Sequence, residues 1–184
     1  MKTRMLGRFL MAALLAGAAA ASTKGSANLP QSDSDIAANV RHEVVMYPYY
    51  SIWDDLGFRV VAGNVTLTGE VNQPFKKQDI ERLVQKVPGV ASVTNGIKVL
   101  PLSSMDDRLR LQVANAIYRD PILSAYAIRA VPAIHIIVEN GHVTLTGMVN
   151  SDMEKQIAGM RAASSLSFGP VTNDLVVEHP ARKS

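Results

Sequence analysis

The chain has 184 residues, of which 47% are hydrophobic and 19% are charged, and it contains no cysteine. These proportions are typical of globular domains and exclude a mostly disordered chain. The lack of cysteine excludes disulfide bonds, thiolate metal sites, cysteine nucleophiles and a lipid-modified N-terminal cysteine. A formal charge of +3 would suit a nucleic-acid partner, but this excess of positive charge comes from the first 21 residues.

Those first 21 residues have the pattern of a secretory signal peptide. Lys2, Arg4 and Arg8 precede a charge-free run from Phe9 to Ala21, whose small final residues suit cleavage before Ser22. The run is shorter than the roughly 20 residues that cross a bilayer as a helix, so a retained anchor is the less favoured alternative. Cleavage leaves 16 basic and 16 acidic side chains. We therefore expect a periplasmic protein that does not bind nucleic acid.

The rest of the chain contains two copies of one unit. Residues 63–72 match residues 141–150 at eight of ten positions with an offset of 78, which continues through residues 93–99 and 171–177. Upstream the offset is 73, so the second copy has five extra residues between Ser124 and Gly141. The predicted organisation is a signal peptide 1–21, a flexible linker 22–32, a first domain 33–100, a linker 101–104, a second domain 105–179 and a tail 180–184.

Each copy predicts the element order helix, strand, strand, helix, strand. Apolar residues at every fourth position predict the first helices, with Asp33 or Ser34 and, in the second copy, Asp106 as N-caps. Aliphatic runs predict a strand hairpin, and Gly63-Asn64 and Asn140-Gly141 are the predicted tight turns. The remaining predictions are second helices at 73–87 and 151–164 and third strands at 90–99 and 170–177.

This order favours an α+β fold of two tandem α/β sandwiches. In each αββαβ unit, a hairpin, a crossover helix and a last strand close most economically as a three-stranded mixed sheet with two helices on one face. Units of about 70 residues have thin cores. We therefore expect the two units to contact each other.

The repeated pattern resembles the BON domain of bacterial envelope proteins. Its hairpin strand is Gly-x-Val-x-Leu-x-Gly-x-Val at residues 63–71 and 141–149, and its closing strand carries Asn95 and Asn173. The second copy departs from the pattern at residues 166–168. The resemblance implies a non-enzymatic protein in a family associated with phospholipid binding, envelope integrity and osmotic or stress protection. It implies no catalytic site and no cofactor.

Aromatic residues are concentrated after the first helix, where residues 47–58 hold five of the nine aromatic residues that follow the signal peptide. These rings could close a thin core, or they could touch the headgroup region of a membrane. The second copy has a weaker counterpart at residues 118–129. The candidate lipid or partner contacts are Tyr47, Tyr49, Tyr50, Trp53, Arg59, Arg119, Ile122, Leu123, Tyr126 and Arg129.

Other polar residues lack the spacing of a catalytic or metal site. The four histidines are scattered without carboxylate neighbours, so no metal is expected. Adjacent Asp54 and Asp55 suggest a helix cap or a solvated loop, and Lys76 and Lys77 suggest a solvated helix face. Two functions therefore stay open: peripheral binding of phospholipid at the membrane surface, and docking of an envelope protein through a sheet face or edge.

Overall fold

The computed structural model describes residues 31–129, 131–165 and 169–178. The first unit contains α1 (Asp33–Val45), β1 (Asp55–Val61), β2 (Asn64–Val71), α2 (Pro74–Gln85), β3 (Ser92–Asn95) and β4 (Lys98–Val99). The second contains α3 (Ser104–Tyr118), a short 3₁₀ helix (Ser124–Ile128), β5 (Ile134–Glu139), β6 (His142–Val149), α4 (Asp152–Ser165), β7 (Val171–Asn173) and β8 (Val176–Val177). The 3₁₀ helix lies within the longer connection of the second copy. The atypical residues 166–168 lie outside the described residues.

Both units have the predicted α+β architecture. In each sheet the second strand is central: β2 pairs antiparallel with β1 and parallel with β3 and β4, and β6 pairs in the same way with β5, β7 and β8. The helices of each unit pack together over one face. The prediction of two αββαβ sandwiches is confirmed, except that each third strand is interrupted once.

The repeated asparagine accounts for that interruption. The Asn95 side chain accepts a hydrogen bond from the Ile97 N–H at 3.1 Å and donates one to the Lys77 carbonyl at 2.9 Å. Asn173 makes the equivalent pair of bonds with Leu175 and Lys155. One side chain therefore satisfies the backbone at the strand break and ties the sheet to the helix above it.

The predicted N-caps are wrong in both units. The caps are Ser32 and Ser103, whose side chains each accept a hydrogen bond from a backbone N–H three residues on, at 3.2 Å. Asp33 and Asp106 lie inside the first turns. Each uses both carboxylate oxygens to accept the two N–H groups of its hairpin turn, at 2.7 and 2.9 Å in the first unit and 3.0 and 2.8 Å in the second. The aspartates therefore join the start of the first helix to the hairpin.

Those hairpin turns also correct one prediction. The central turn residues are Asn140-Gly141, as expected, and Ala62-Gly63 rather than Gly63-Asn64. All four have positive φ, with Ala62 at 50° and Asn140 at 52°, as a type I′ turn requires. Asn64 instead begins β2. The Asp33 carboxylate bonded to the Ala62 N–H helps to hold an alanine in this unfavourable region.

Each unit has its own buried core, and the two units touch. The first core contains Ile36, Val40, Leu67 and Ile80, and the second contains Val113, Ile136 and Leu145. Residues 50–54, which follow α1, reach the second unit. There Ile52 and Trp53 pack against the second core, and the Ile136 N–H donates to the Ile52 carbonyl at 2.7 Å. The expected contact between the units is therefore present.

A surface ion pair also links the units. Lys98 of β4 lies 2.5 Å from a Glu139 carboxylate oxygen and 3.4 Å from one of Glu70. The hydrogen bond to Glu139 raises the pKa of Lys98. Because these groups are partly solvated, the pair contributes little to stability.

Candidate membrane-contact surface

The aromatic segment after α1 separates into three environments. Tyr47 belongs to the first core, where its side chain is 7% exposed and its hydroxyl donates to Asp79 at 2.9 Å. Burial, and then the hydrogen bond to Asp79, raises the pKa of Tyr47 far above its usual value. This ring closes the core, so it is not available to a membrane.

Tyr50 and Trp53 face the second unit. The Tyr50 ring lies 5.5 Å from the His135 ring, centroid to centroid, and its hydroxyl is 3.4 Å from His135 Nε2. Burial, followed by the nearby Asp55 carboxylate, raises the pKa of Tyr50 to about 12. Trp53 is half-buried against the second core. These two rings therefore form the interface between the units.

Tyr49 alone of the tyrosines in this segment projects into solvent. It is 60% exposed, and its ring makes edge-to-face contacts with Phe75 at 5.5 Å and with the buried Tyr47 at 5.7 Å. Phe75 is 45% exposed and Met46 is 65% exposed. We call Met46, Tyr49 and Phe75 the Tyr49 surface. Phe75, which lies at the start of α2, was not among the sequence candidates.

Basic side chains lie close to part of this surface. Met46 lines a shallow cavity of about 300 Å³ between α1 and α2 whose wall includes Arg82 and Lys86. Arg82 is largely exposed, and its guanidinium is 3.7 Å from Asp79. Glu43 and Asp79 line the same cavity, so its local charge is mixed. The arrangement pairs exposed apolar groups with cations that could reach a headgroup.

Arg59 is not part of the Tyr49 surface. Its neighbours Phe58 and Val60 pack into the first core, so the exposed Arg59 side chain points to the opposite, open face of the sheet. Tyr49 contacts Phe75 of α2, which belongs to the helical layer. The sequence candidates in the first unit are therefore divided between the core, the interface, the open sheet face and the Tyr49 surface.

The candidates of the second unit are also divided. Leu123 is fully buried and Tyr126 is 3% exposed, so neither can contact a lipid or a partner from this position. The Tyr126 hydroxyl donates to Glu154 and accepts from the Asn150 N–H. Ile122, Arg119 and Arg129 remain at the surface, and the Arg129 guanidinium lies 4.6 Å from the Tyr126 ring centroid.

The structure also contains a buried ion pair in the first unit that the sequence did not predict. Lys76 Nζ lies 2.6 Å from Asp54 Oδ2, and the two side chains are 5% and 1% exposed. Lys76 also donates to the Asn72 side chain, and Asp54 also accepts from Ser51 and from the Asn72 N–H. Lys76 is therefore not on a solvated face, and Asp54 is neither a helix cap nor solvated. The network fixes the segment that contacts the second unit.

The second unit fills the equivalent place with different chemistry. At the offset of 78, Lys76 corresponds to Glu154 and Asn72 to Asn150. The Asn150 N–H donates to the Tyr126 hydroxyl at 2.9 Å and to Glu154 at 2.8 Å. A tyrosine–glutamate pair thus replaces the lysine–aspartate pair. The comparison indicates a structural role for both networks.

The described residues show neither a metal cluster nor a membrane-spanning helix. In residues 31–129, 131–165 and 169–178, no group of three or more histidine, aspartate or glutamate side chains is placed to hold a metal ion. Within the same ranges, no helix has the length and apolar character needed to cross a bilayer.

Comparisons with individual known proteins find only low sequence identity. No curated protein matches the chain. Two solved structures share 12% and 14% identity with it: CdsD, a structural protein of the type III secretion system of Chlamydia trachomatis, and the C-terminal domain of CdsD. The alignments cover 79% and 81% of this chain and 94% and 100% of those chains, with TM-scores of 0.27 and 0.30, which carry no functional inference.

The family comparison is specific. The BON domain model matches residues 32–101 and again residues 106–179. The two matches cover most of the chain and coincide with the two αββαβ units described above. The chain therefore belongs to the BON domain family, of which it contains two copies in tandem.

Proposed function

We propose that this chain is an exported, non-enzymatic envelope protein that binds phospholipid surfaces and supports envelope integrity under osmotic or other stress. The observation that carries the proposal is the Tyr49 surface. Its three side chains, two apolar and one a tyrosine ring, are 45–65% exposed. Membership of the BON family supports an envelope location and a non-catalytic role.

The physics of this surface favours shallow, peripheral binding. Tyrosine joins an apolar ring to a polar hydroxyl and is suited to the headgroup boundary, while Met46 and Phe75 can enter the acyl region beside it. Arg82 and Lys86 can then meet lipid phosphates. Each basic contact with an anionic surface adds only about 1 kcal/mol, and Glu43 and Asp79 oppose it locally. Binding should therefore be weak, reversible and sensitive to salt.

A second candidate function is docking of an envelope protein. The open face of the first sheet carries Arg59, and the outer edge of β1 is the specific observation in its favour. That edge is independent of the Tyr49 surface.

Co-sedimentation with vesicles tests the lipid proposal. Residues 22–184 would be mixed with neutral vesicles and with anionic vesicles, each at low and high salt. We expect anionic vesicles to carry down the wild-type chain at low salt, with a smaller bound fraction at high salt. Tyr49→Ser combined with Phe75→Ser should lose most of this binding.

The matched control changes exposed apolar residues elsewhere. Leu111→Ser combined with Met160→Ser removes side chains that are 58% and 62% exposed on the second unit. Circular dichroism must show that both double variants are folded. Equal binding by the two folded variants would show that the Tyr49 surface does not carry the activity.

Export has its own test. If the N-terminal segment is a cleaved signal peptide, the chain recovered from the periplasm of a Gram-negative host begins at Ser22. Mass spectrometry of the intact protein measures this directly. Recovery of a chain that still begins at Met1 in a membrane fraction would instead indicate a retained anchor.

A further inference from the structure

The outer edge of the second sheet is covered by other parts of the chain at each of its three outward-facing residues. Strand β5 pairs with β6 on one side, and on the other side the rest of the chain bonds one backbone group of each outward-facing residue. The Ile134 carbonyl accepts from the Tyr118 hydroxyl, the Ile136 N–H donates to the Ile52 carbonyl and the Val138 carbonyl accepts from Arg110 Nη2, each at 2.7 Å. Five consecutive residues of β5 are consequently buried.

The equivalent edge of the first sheet is open. The pair Phe58–Leu67 repeats the pair Ile136–Leu145, so the two hairpins have the same register. The outward-facing residues of β1 are therefore Leu56, Phe58 and Val60. Among the described residues, no hydrogen bond reaches the outward-facing N–H or C=O group of any of the three.

Two sequence differences between the copies explain the open edge. At the offset of 73, Arg110 corresponds to Ala37 and Tyr118 corresponds to Val45. Neither Ala37 nor Val45 has a side-chain donor that could satisfy a strand carbonyl. The segment that covers β5 comes from the first unit, and among the described residues no equivalent segment bonds to the outer edge of β1. An unpaired strand edge of this kind is a template for a further strand.

A groove runs along this edge. A cavity of about 760 Å³ lies between α1 and β1, with small side chains at Ala37 and Ala38 on the helical wall and Phe58 on the strand wall. It shares Arg41, Leu56 and Phe58 with a second cavity of about 350 Å³ that reaches the interface at Tyr50 and His135. The groove is therefore continuous with the contact between the units.

The charge of the groove indicates what it could hold. Arg41 lines both cavities and has no acidic partner among the described residues. Asp33, the acidic residue of the same wall, already uses both oxygens on the hairpin turn. An occupant with a carboxylate near Arg41 would be complementary, whereas a basic one would be repelled.

We propose that the outer edge of β1 binds an extended segment of a partner protein by strand addition. The segment pairs with the free backbone groups around Phe58, directs alternate apolar side chains against Ala37, Ala38 and Phe58, and places a carboxylate at Arg41. Residues 50–54 provide the precedent, because they cover the equivalent edge of β5 with a backbone hydrogen bond and two apolar side chains. Seven-residue β1 offers about 23 Å of edge. This site goes beyond the lipid function and does not depend on it.

A displayed library of nine-residue peptides, selected against the full mature chain, provides the probe. We expect the selected peptides to alternate apolar and polar residues and to carry an acidic residue towards one end. Ala37→Arg should weaken the binding of a selected synthetic peptide at least tenfold, as measured by fluorescence anisotropy. The new arginine corresponds to Arg110, which covers the edge of β5, and would cover the edge of β1 in the same way. Asn39→Arg adds the same charge to α1 at a residue that lines a different cavity, beside Lys86, and should leave binding within twofold.

The outcomes separate the alternatives. Arg41→Glu should also weaken binding of the acidic peptide, because it replaces the cation that would pair with the peptide carboxylate. If no alternating peptide is enriched, or if Ala37→Arg binds the selected peptide as well as Asn39→Arg does, the proposal is overturned. If light scattering shows a dimer that Ala37→Arg abolishes, the edge pairs with a second copy, and the proposed partner segment is wrong. Vesicle binding should be unchanged in Ala37→Arg, so this test and the lipid test can fail separately.

Discussion

Replacing Lys76 tests whether the buried ion pair supports both the first unit and its contact with the second. Lys76→Met removes the ammonium group and keeps a long apolar stem, which leaves the Asp54 carboxylate buried without its cation. Removing one partner of a buried pair typically costs about 3–5 kcal/mol. Asp54 still accepts from the Ser51 N–H, the Ser51 hydroxyl and the Asn72 N–H. We therefore expect a cost near the lower limit, about 3 kcal/mol.

Two signals can follow the loss. Urea unfolding monitored by circular dichroism gives the change in the free energy of unfolding. Trp53 is the single tryptophan of the chain, and it packs against the second unit. Its fluorescence therefore reports the interface. Because Asp54 directly follows Trp53, we expect the emission of Lys76→Met to shift to the red at urea concentrations below the main transition.

A double variant controls for the buried charge. Asp54→Asn combined with Lys76→Met replaces the ion pair by neutral groups of similar size, and we expect it to recover at least about 1 kcal/mol relative to Lys76→Met alone. A cost below about 1 kcal/mol for Lys76→Met would be typical of an exposed pair. That result would refute the conclusion that Lys76 and Asp54 are buried together.

Three further predictions concern the hairpin of the second unit, the aspartate that bonds its turn, and the interface. Gly147→Ala should lower the free energy of unfolding in urea more than Gly141→Ala does. A Cβ on Gly147, whose φ is 108°, would lie 2.2 Å from the Ala133 carbonyl oxygen, whereas nothing lies within 4 Å of a Cβ on Gly141. Equal losses in the two variants would contradict this reasoning. Asp106→Ala should lower the free energy of unfolding by about 3 kcal/mol, because two backbone N–H groups of the hairpin turn lose a buried carboxylate acceptor. A loss below about 1 kcal/mol would argue against a role of Asp106 in holding the turn. Burial lowers the pKa of His135, an effect that nearby Asp55 opposes. The folded state therefore favours neutral His135, so its contribution to the free energy of unfolding should be fully present above the ordinary pKa of about 6.5 and be lost as the pH drops below it. His135→Asn should make the free energy of unfolding depend less on pH in this range. An unchanged pH dependence would exclude His135 as its source.

The repeat made most of the fold predictable from the sequence. A shared offset turned weak local patterns into two agreeing copies, so the element order, the mixed sheets and the contact between the units were all expected. The same offset could have corrected the turn, because it aligns Ala62 with Asn140. Local residue preferences favour Gly63-Asn64 as the turn, but tertiary support from Asp33 outweighs the preference against alanine at positive φ.

Long-range partners limited the prediction of side-chain roles. Lys76 pairs with Asp54 22 positions away, and Asp33 bonds a turn about 30 positions away; local capping rules do not include such partners. The occurrence of aspartate at both 33 and 106 was a usable signal, because the two positions correspond in the repeat. The division of the aromatic residues between core, interface and surface could not be predicted in the same way, because the environment of Tyr50 and Trp53 depends on where the second unit lies.

Depth measurements with a spin label test the central claim of membrane contact most directly. The chain has no cysteine, so Met46→Cys and Arg59→Cys each provide one labelling site, on the Tyr49 surface and on the open sheet face. With anionic vesicles, we expect the label at position 46 to become accessible to oxygen and protected from a water-soluble nickel complex, and the label at position 59 to remain aqueous. If position 46 stays aqueous while the protein is bound, or if position 59 inserts instead, the Tyr49 surface is not the membrane contact.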